Sequence, residues 1–388
     1  VRFIDFEQPA NNRFMAVCQF KVRIRGTEHH IIPDVVLFVN GMPLVVIEAK
    51  SPKVKDALPE AIDQLMRYSE QRGAKGEGSA ELFAYNQFLV VTCRNEAKFG
   101  TITTHNEKHF YRWSDPYPLK LEDLQHGSSS PNDQQRLVAG MMAHANLLGI
   151  VHTFTIFNIS DKGELIKVVG RYQQFRAVRL AVQRLLSGKN ARERSGIIWH
   201  TQGSGKSITM TCFAARVMQE PKLENPTIVV ITDRNDLDGQ LLGVFSLSQD
   251  LLREQPQQAT TRQKLRELLD NRPSGGIIFA TIQKFMLGED EDVFPVLSSR
   301  RNIVVIADEA HRTQYGFEAK LKNVKLPSKP LPTGHANSSA VAAEFAPPEY
   351  EVKYQAGYAQ HLRDALPNAT FVAFTGTPVS STDRDTRS

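Results

Sequence analysis

Between residues 14 and 99 short apolar runs alternate with turn residues, and 18–24, 31–39, 44–49 and 88–92 read as strands. After the third of these, residues 59–71 place Ala61, Ile62, Leu65, Met66 and Tyr68 at mixed three- and four-residue spacing, the pattern of an amphipathic helix lying on a sheet. A strand-rich first domain over residues 1–118 follows. Residues 114–118 and 127–133 are rich in Pro and Ser, as a solvated connection is, and residues 119–162 are expected to form a linker or helical connection. From residue 163 onward the rhythm changes. Apolar strands at 196–199, 227–232, 276–280, 302–307 and 370–374 alternate with helical stretches, which predicts a parallel sheet covered by helices over residues 163–388. Residues 327–348, rich in Pro, Ser and Ala, read as a surface insertion. The fold class is α/β: a mixed sheet with helices, followed by a parallel α/β lobe.

A chain of 388 residues has room for roughly two to three domains, each with its own core. Its 47 Lys and Arg against 42 Asp and Glu leave a net charge of +5, a mild basic excess that permits nucleic-acid contact without demonstrating it. Cys18, Cys93 and Cys212 stand singly, with no C-x-x-C pair, so neither a disulfide framework nor a zinc site is indicated. No apolar run reaches the roughly 18 residues that a membrane span requires, and a signal-peptide profile is absent. A cytoplasmic protein is expected. The chain begins at Val1 and ends in a polar run, as a piece of a longer protein would.

The most specific chemistry lies at Ile197-Ile198-Trp199, which runs into His200-Thr201-Gln202-Gly203-Ser204-Gly205-Lys206-Ser207 and then into a helical pattern. Strand, glycine loop and helix stand in the order a phosphate-binding loop needs. Glycines let backbone N–H groups turn around phosphate oxygens, Lys206 neutralises the β- and γ-phosphates, and the Ser207 hydroxyl can ligate Mg²⁺. Gly203, Ser204 and Gly205 supply the turn. The pattern departs from G-x-x-x-x-G-K-[ST] at its first position, which is His200. About a hundred residues on, the strand at 302–307 delivers Asp308-Glu309-Ala310-His311 at its C-terminal end, where ligands of parallel sheets bind. Asp308 is suited to hold Mg²⁺ and Glu309 to polarise the attacking water.

These segments resemble motifs I and II of superfamily 2 helicases and translocases, the second in its DEAH form, and the resemblance implies a RecA-like lobe that binds ATP with Mg²⁺. Further motifs fall in family order. Asp233 and Arg234, with Thr281, Gln283 and Lys284, resemble DNA-contacting segments, and Thr375-Gly376-Thr377 resembles the motif that couples ATP state to DNA. His311 belongs with the DEAH motif. Tyr172-Gln173 resembles the adenine-reading glutamine motif, with Gln174 next to it as the other choice.

In the first domain Pro33-Asp34 opens one strand and Glu48-Ala49-Lys50 closes the next, the P-D…E-x-K pattern of metal-dependent nucleases. Asp34 and Glu48 would share Mg²⁺, and Lys50 would orient a water or balance charge. Glu48 and Lys50, two apart on a strand, share a face. Asn40-Gly41 marks the turn between these strands and raises a question of register. A two-residue turn with regular pairing puts Asp34 opposite Ile47, on the face away from Glu48. A three- or five-residue loop, or a one-residue bulge, brings Asp34 opposite Glu48. An intact site therefore predicts an odd-length connection or a bulge.

Gln64 and Tyr68, spaced i, i+4 on one helix face, complete a pattern that resembles the restriction subunit of type I restriction-modification enzymes, with a PD-(D/E)xK nuclease ahead of the motor. Type III subunits carry the nuclease after it. The resemblance implies ATP-dependent translocation on double-stranded DNA, Mg²⁺-dependent cleavage, partner methyltransferase and specificity subunits, and a second RecA-like lobe beyond residue 388. A stand-alone helicase-nuclease of DNA repair, or an ATP-gated DNA-binding module with an inert nuclease site, are the alternatives.

Overall fold

The computed structural model describes residues 3–125, 129–160, 162–201, 203–232, 235–285, 294–308, 320–325, 350–355 and 358–376. Strand β1 spans Phe14–Cys18, β2 Val22–Arg23, β3 His30–Ile31, β4 Val35–Val39, β5 Met42–Lys50, β6 Phe88–Cys93 and β7 Glu96–Gly100. Two expected strands are broken. The run at 18–24 is interrupted where Gln19 takes a left-handed φ of 52°, and the run at 31–39 is interrupted at Pro33, which has no N–H to give a ladder. The tight turn at Arg94, φ 55°, folds β7 back as a further strand that the apolar pattern alone did not announce.

The first sheet has the order β1-β4-β5-β6-β7, antiparallel except for the β5–β6 pair. A parallel pair needs a crossover, and helix α1, Ala57–Tyr68, provides it. Its buried Ala61, Ile62, Leu65 and Met66 pack with Val36, Val46, Leu89 and Val91 of the sheet. Alternate residues of the same strands, Val45, Phe88 and Val90, face the opposite way into a second core with Trp113, Leu137 and Met141. The period of two along β5 and β6 thus fills both faces.

The segment expected as a linker or helical connection contains helices. Helix α2, Asp133–Leu137, a π-helical turn at Val138–Met142 and helix α3, His144–Thr153, follow one another, and Leu147, Leu148 and Ile150 are buried. At Gly140 a Cβ would lie 2.2 Å from the Trp113 Nε1, so only glycine admits this approach. Strands β8, Thr155–Ile159, and β9, Leu165–Val169, form a hairpin across the boundary expected at residues 162 and 163. The hairpin docks on the first domain, with Thr101 Oγ1 donating to the Lys167 carbonyl at 2.9 Å and Lys167 Nζ donating to the Asn86 carbonyl at 2.5 Å.

Helix α4, Tyr172–Ser187, and α5, Ala191–Arg194, lead to β10, Gly196–Trp199; α6, Lys206–Met218, leads to β11, Thr227–Thr232. Helices α7, Asn235–Leu247, and α8, Gln249–Leu252, precede β12, Gln257–Gln258; α9, Arg262–Asp270, precedes β13, Ile277–Thr281, and β14 is Ile303–Ala307. Strands β15, Lys320–Lys325, and β16, Tyr350–Gln355, pair antiparallel, and the expected insertion at 327–348 lies between them, outside the described residues. Helix α10, Tyr358–Ala365, ends at β17, Thr370–Thr375. The second sheet is parallel throughout, in the order β10-β17-β14-β11-β13-β12. Every residue of β11 and β13 is buried, as a parallel sheet covered on both faces requires. Among the described residues no helix is long and apolar enough to cross a membrane.

Candidate nuclease and nucleotide sites

The register between β4 and β5 decides the first site. Asn40 and Gly41, both left-handed with φ of 50° and 85°, make the two-residue turn that Asn-Gly favours. Val39 pairs with Met42 and Phe38 with Pro43, but beyond them Leu37 pairs with Val45, Val36 with Val46 and Val35 with Ile47. Leu44 is the extra residue of a bulge. It is buried, and its carbonyl accepts from the Gln87 N–H at 2.7 Å. The bulge shifts the register by one residue and carries Asp34 to the end of β5 occupied by Glu48. Asp34 Oδ2 accepts from the Ala49 N–H at 2.8 Å.

Around this pair the structure gathers the other expected residues. Glu48 Oε1 accepts from Lys50 Nζ at 3.4 Å and from Gln64 Nε2. Gln64 Oε1 in turn accepts from Lys50, and Gln64 Nε2 reaches the Tyr68 hydroxyl at 2.8 Å. Two contributors are not marked by the sequence motifs. Gln19 donates to Asp34 Oδ1 at 2.8 Å, and Glu60 stands 3.7 Å from the Lys50 ammonium. Glu60 was findable, since it precedes Gln64 by one helical turn on the same face. Gln19 was not: it reaches Asp34 through the left-handed break after β1.

Burial pushes the Glu48 carboxyl up from 4.5 to about 7, the neighbouring Asp34 carboxylate adds to this, and Lys50 pulls the other way. Glu48 Oε2 is buried with no hydrogen-bond partner among the described residues. A buried oxygen left in that state is costly unless something cationic meets it. The donors are hard carboxylate oxygens, so the site fits Mg²⁺. Among the described residues no cluster of three or more His, Cys, Asp or Glu could hold a metal. Two carboxylates completed by water and a phosphate oxygen suit Mg²⁺, which dehydrates reluctantly.

The raised Glu48 carboxyl makes a prediction about the metal-free protein. Its ionisation works against the fold, so stability present below pH 4.5 is lost as pH rises through about 7. Glu48→Gln removes that loss. In chelator, the first domain of the variant should match the native one near pH 4.5 and exceed it by roughly 3 kcal/mol above pH 7, because each tenfold change in an acid constant is worth about 1.4 kcal/mol. Thermal melts at pH 5 and pH 8 check this; an equal difference at both would contradict the burial of the charge.

The second site is assembled at the C-terminal ends of parallel strands. After β10, Gly203 and Gly205 take φ of 76° and 83°, which only glycine adopts freely, and Lys206 and Ser207 open α6. Asp308 follows β14; its N–H donates to the Ile231 carbonyl at 2.8 Å, and its carboxylate pairs with Lys206 Nζ at 3.0 Å. The structure brings Gln174 to the loop, in place of the expected Gln173. Gln173 is exposed on α4, whereas Gln174 is buried and donates from Nε2 to the carbonyls of Ser204 at 3.2 Å and Gly205 at 3.0 Å. One residue along a helix turns a side chain by about 100°, and only Gln174 points inward.

Thr375 closes β17, its carbonyl accepting from the His200 N–H at 2.9 Å, and Gly376 follows it. Thr281 closes β13 and is buried, while Gln283 and Lys284 stand on the short turn Ile282–Phe285. Asp233, Arg234, Glu309, His311 and Thr377 lie outside the described residues. A loop with two left-handed glycines, a helix N-terminus, a lysine and a facing carboxylate fit a nucleotide polyphosphate with Mg²⁺.

A parallel α/β lobe with a phosphate loop and an acidic strand end defines a P-loop ATPase. Residues 173–388, more than half of the chain, match the SWI2/SNF2 ATPase family, and residues 1–108 match the type I restriction enzyme R protein N terminus. The type I restriction enzyme HindI endonuclease subunit of Haemophilus influenzae is 42% identical over 392 residues, covering 100% of this chain and 33% of the relative. A protein of Methanocaldococcus jannaschii, provisionally named a type I restriction enzyme MjaIXP endonuclease subunit, is 32% identical over 403 residues, again 100% of this chain and 33% of the relative. The chain belongs to the SWI2/SNF2 ATPase family, and its N-terminal match and these relatives place it among the type I restriction enzyme R subunits. It spans about a third of the length of those relatives.

Proposed function

We propose that the chain is the nuclease and ATP-binding part of an R subunit that moves along double-stranded DNA at the expense of ATP and cuts it with Mg²⁺. Methyltransferase and specificity subunits would supply methylation and choice of target, in the cytoplasm. The observation that carries the reading is the Leu44 bulge, which unites Asp34, Glu48, Lys50 and Gln64 in a chain that also holds a phosphate loop.

Asp34 and Glu48 would hold the metal, which when bound stabilises charge on the phosphate and lowers the pKa of a water. Lys50, held by Gln64 and Glu60, keeps an ammonium beside that pair, and Gln64 is fixed by Tyr68. In the motor lobe Lys206 would neutralise the nucleotide phosphates, and Ser207 and Asp308 would hold the second Mg²⁺. Glu309 is proposed to polarise water, and Asp233, Arg234, Thr281, Gln283, Lys284 and Thr375–Thr377 to meet DNA or relay the ATP state.

The test is ATP- and Mg²⁺-dependent cleavage of unmethylated duplex DNA by the full-length subunit with its partners. Cleavage that proceeds equally well without ATP would refute the coupling. Gln174→Ala is expected to weaken ADP binding about tenfold, the size of one or two lost hydrogen bonds, and Gln173→Ala to leave it unchanged. Calorimetric titration with ADP distinguishes the two glutamines.

A further inference from the structure

His200 occupies the first position of the phosphate loop, where the general pattern has glycine. Its backbone does not need one: left-handed φ occurs at Gly203 and Gly205 but not at His200. A side chain is therefore admitted here without strain, and this one is 94% buried, its exposure being 6%.

The imidazole spans the loop. His200 Nδ1 lies 2.8 Å from Ser204 Oγ, and the Ser204 hydroxyl donates to the Thr201 carbonyl at 2.5 Å. A hydroxyl has one hydrogen, so with that hydrogen on Thr201 the Ser204 oxygen can only accept from His200. The ring thus carries its proton on Nδ1, and Nε2 is an acceptor, buried and with no partner among the described residues. Burial, with Lys206 nearby, holds the imidazole below its usual pKa and keeps this neutral tautomer. The His200 N–H is anchored on the Thr375 carbonyl.

Gln174 in turn ties the carbonyls of Ser204 and Gly205. In a trans peptide the carbonyl and the following N–H point opposite ways, so the amides of Gly205 and Lys206 are turned away from Gln174. His200 holds one end of this turned segment, by Ser204, and β17 holds His200.

We propose that His200 is a positioning residue for the nucleotide, a strut that keeps the loop in its phosphate-receiving shape before a nucleoside polyphosphate arrives. The proposal rests on the nucleotide-site reading above. Putting the general pattern's glycine at this position should therefore harm the site.

The test uses the full-length protein, with ADP as probe, so that hydrolysis plays no part, and hydrogen exchange of the 201–208 amides without nucleotide. His200→Gly and Ser204→Ala are each expected to bind ADP about tenfold more weakly, because less of the free protein is binding-competent, and to exchange faster. The double variant should bind no more weakly than Ser204→Ala alone, which already breaks the His200 contact along with the bond to Thr201. His200→Asn, whose amide nitrogen can take the place of Nδ1, should restore most of the affinity and the protection. His200→Gly binding ADP as tightly as the native protein, or the two losses multiplying to about a hundredfold, would overturn the strut. Should His200→Gly fail to fold, Ser204→Ala alone decides, through its exchange rate. A native protein that does not bind ADP overturns the nucleotide reading itself, and the strut with it.

Discussion

Replacing Asp34 with alanine is expected to reduce DNA cleavage by the full-length enzyme about a thousandfold while ATP hydrolysis stays within about twofold of the native rate. The size follows from the loss of roughly 4 kcal/mol of charge stabilisation that a carboxylate-held metal gives the phosphate in the transition state. The separation follows from the architecture. Asp34 stands just before β4 of the first sheet, and the phosphate loop follows β10 of the second. Loss of folding is not the expected cause. Asp34 raises the Glu48 pKa by repulsion, so its removal relieves the buried carboxylate, and the exposed Ala49 N–H can turn to water. Asp34→Asn keeps an acceptor for that N–H and should lose cleavage equally. Cleavage by either variant at the native rate would show that the Asp34–Glu48 pair does not hold the metal.

That prediction depends on a feature the sequence carried only indirectly. Asn40-Gly41 announced the hairpin, and its two-residue turn is present, yet a regular ladder from it would have sent Asp34 to the wrong face. The chemistry required a compensating residue without saying which. Leu44 serves because its side chain is buried on one side and its carbonyl finds the Gln87 N–H, a contact between segments about forty residues apart. Strands of the second sheet were legible for a simpler reason: a strand buried on both faces is apolar at every position, as Ile228, Val229, Val230 and Ile231 are. The connection between the domains was left open between a linker and a helical connection because its Pro- and Ser-rich flanks are polar. Its own apolar residues, Leu137, Met141, Leu147 and Ile150, find partners such as Trp113 and Phe175 that no local pattern reveals. Gln173 and Gln174 are adjacent and chemically identical, so only the helix phase of α4 could separate them, and the phase is set by Phe175 and Val178 entering the core.

Lys206→Ala is expected to lower ATP hydrolysis by the full-length protein about a hundred- to a thousandfold, the loss found when one preorganised donor to developing charge is removed. The ammonium stands in the first turn of α6, where the helix N-terminus already favours anions. It is 3.0 Å from Asp308, the carboxylate proposed to hold Mg²⁺, so one charge would meet both the metal's ligand and the phosphates. Alanine leaves the helix N-terminal potential and the glycine loop in place. Nucleotide affinity should therefore fall less than the rate does, and under the proposed coupling of cleavage to movement both DNA translocation and cleavage should fail with hydrolysis. The fold should survive. Asp308 keeps its backbone tie to the Ile231 carbonyl, and α6 stays fastened through Met210, Phe213, Ala214 and Val217, all fully buried. Steady-state ATPase assays with DNA, beside a thermal melt, check both halves. Normal hydrolysis by a well-folded Lys206→Ala protein would sink the phosphate-loop assignment, and the nuclease reading would then have to stand on Asp34 and Glu48 alone.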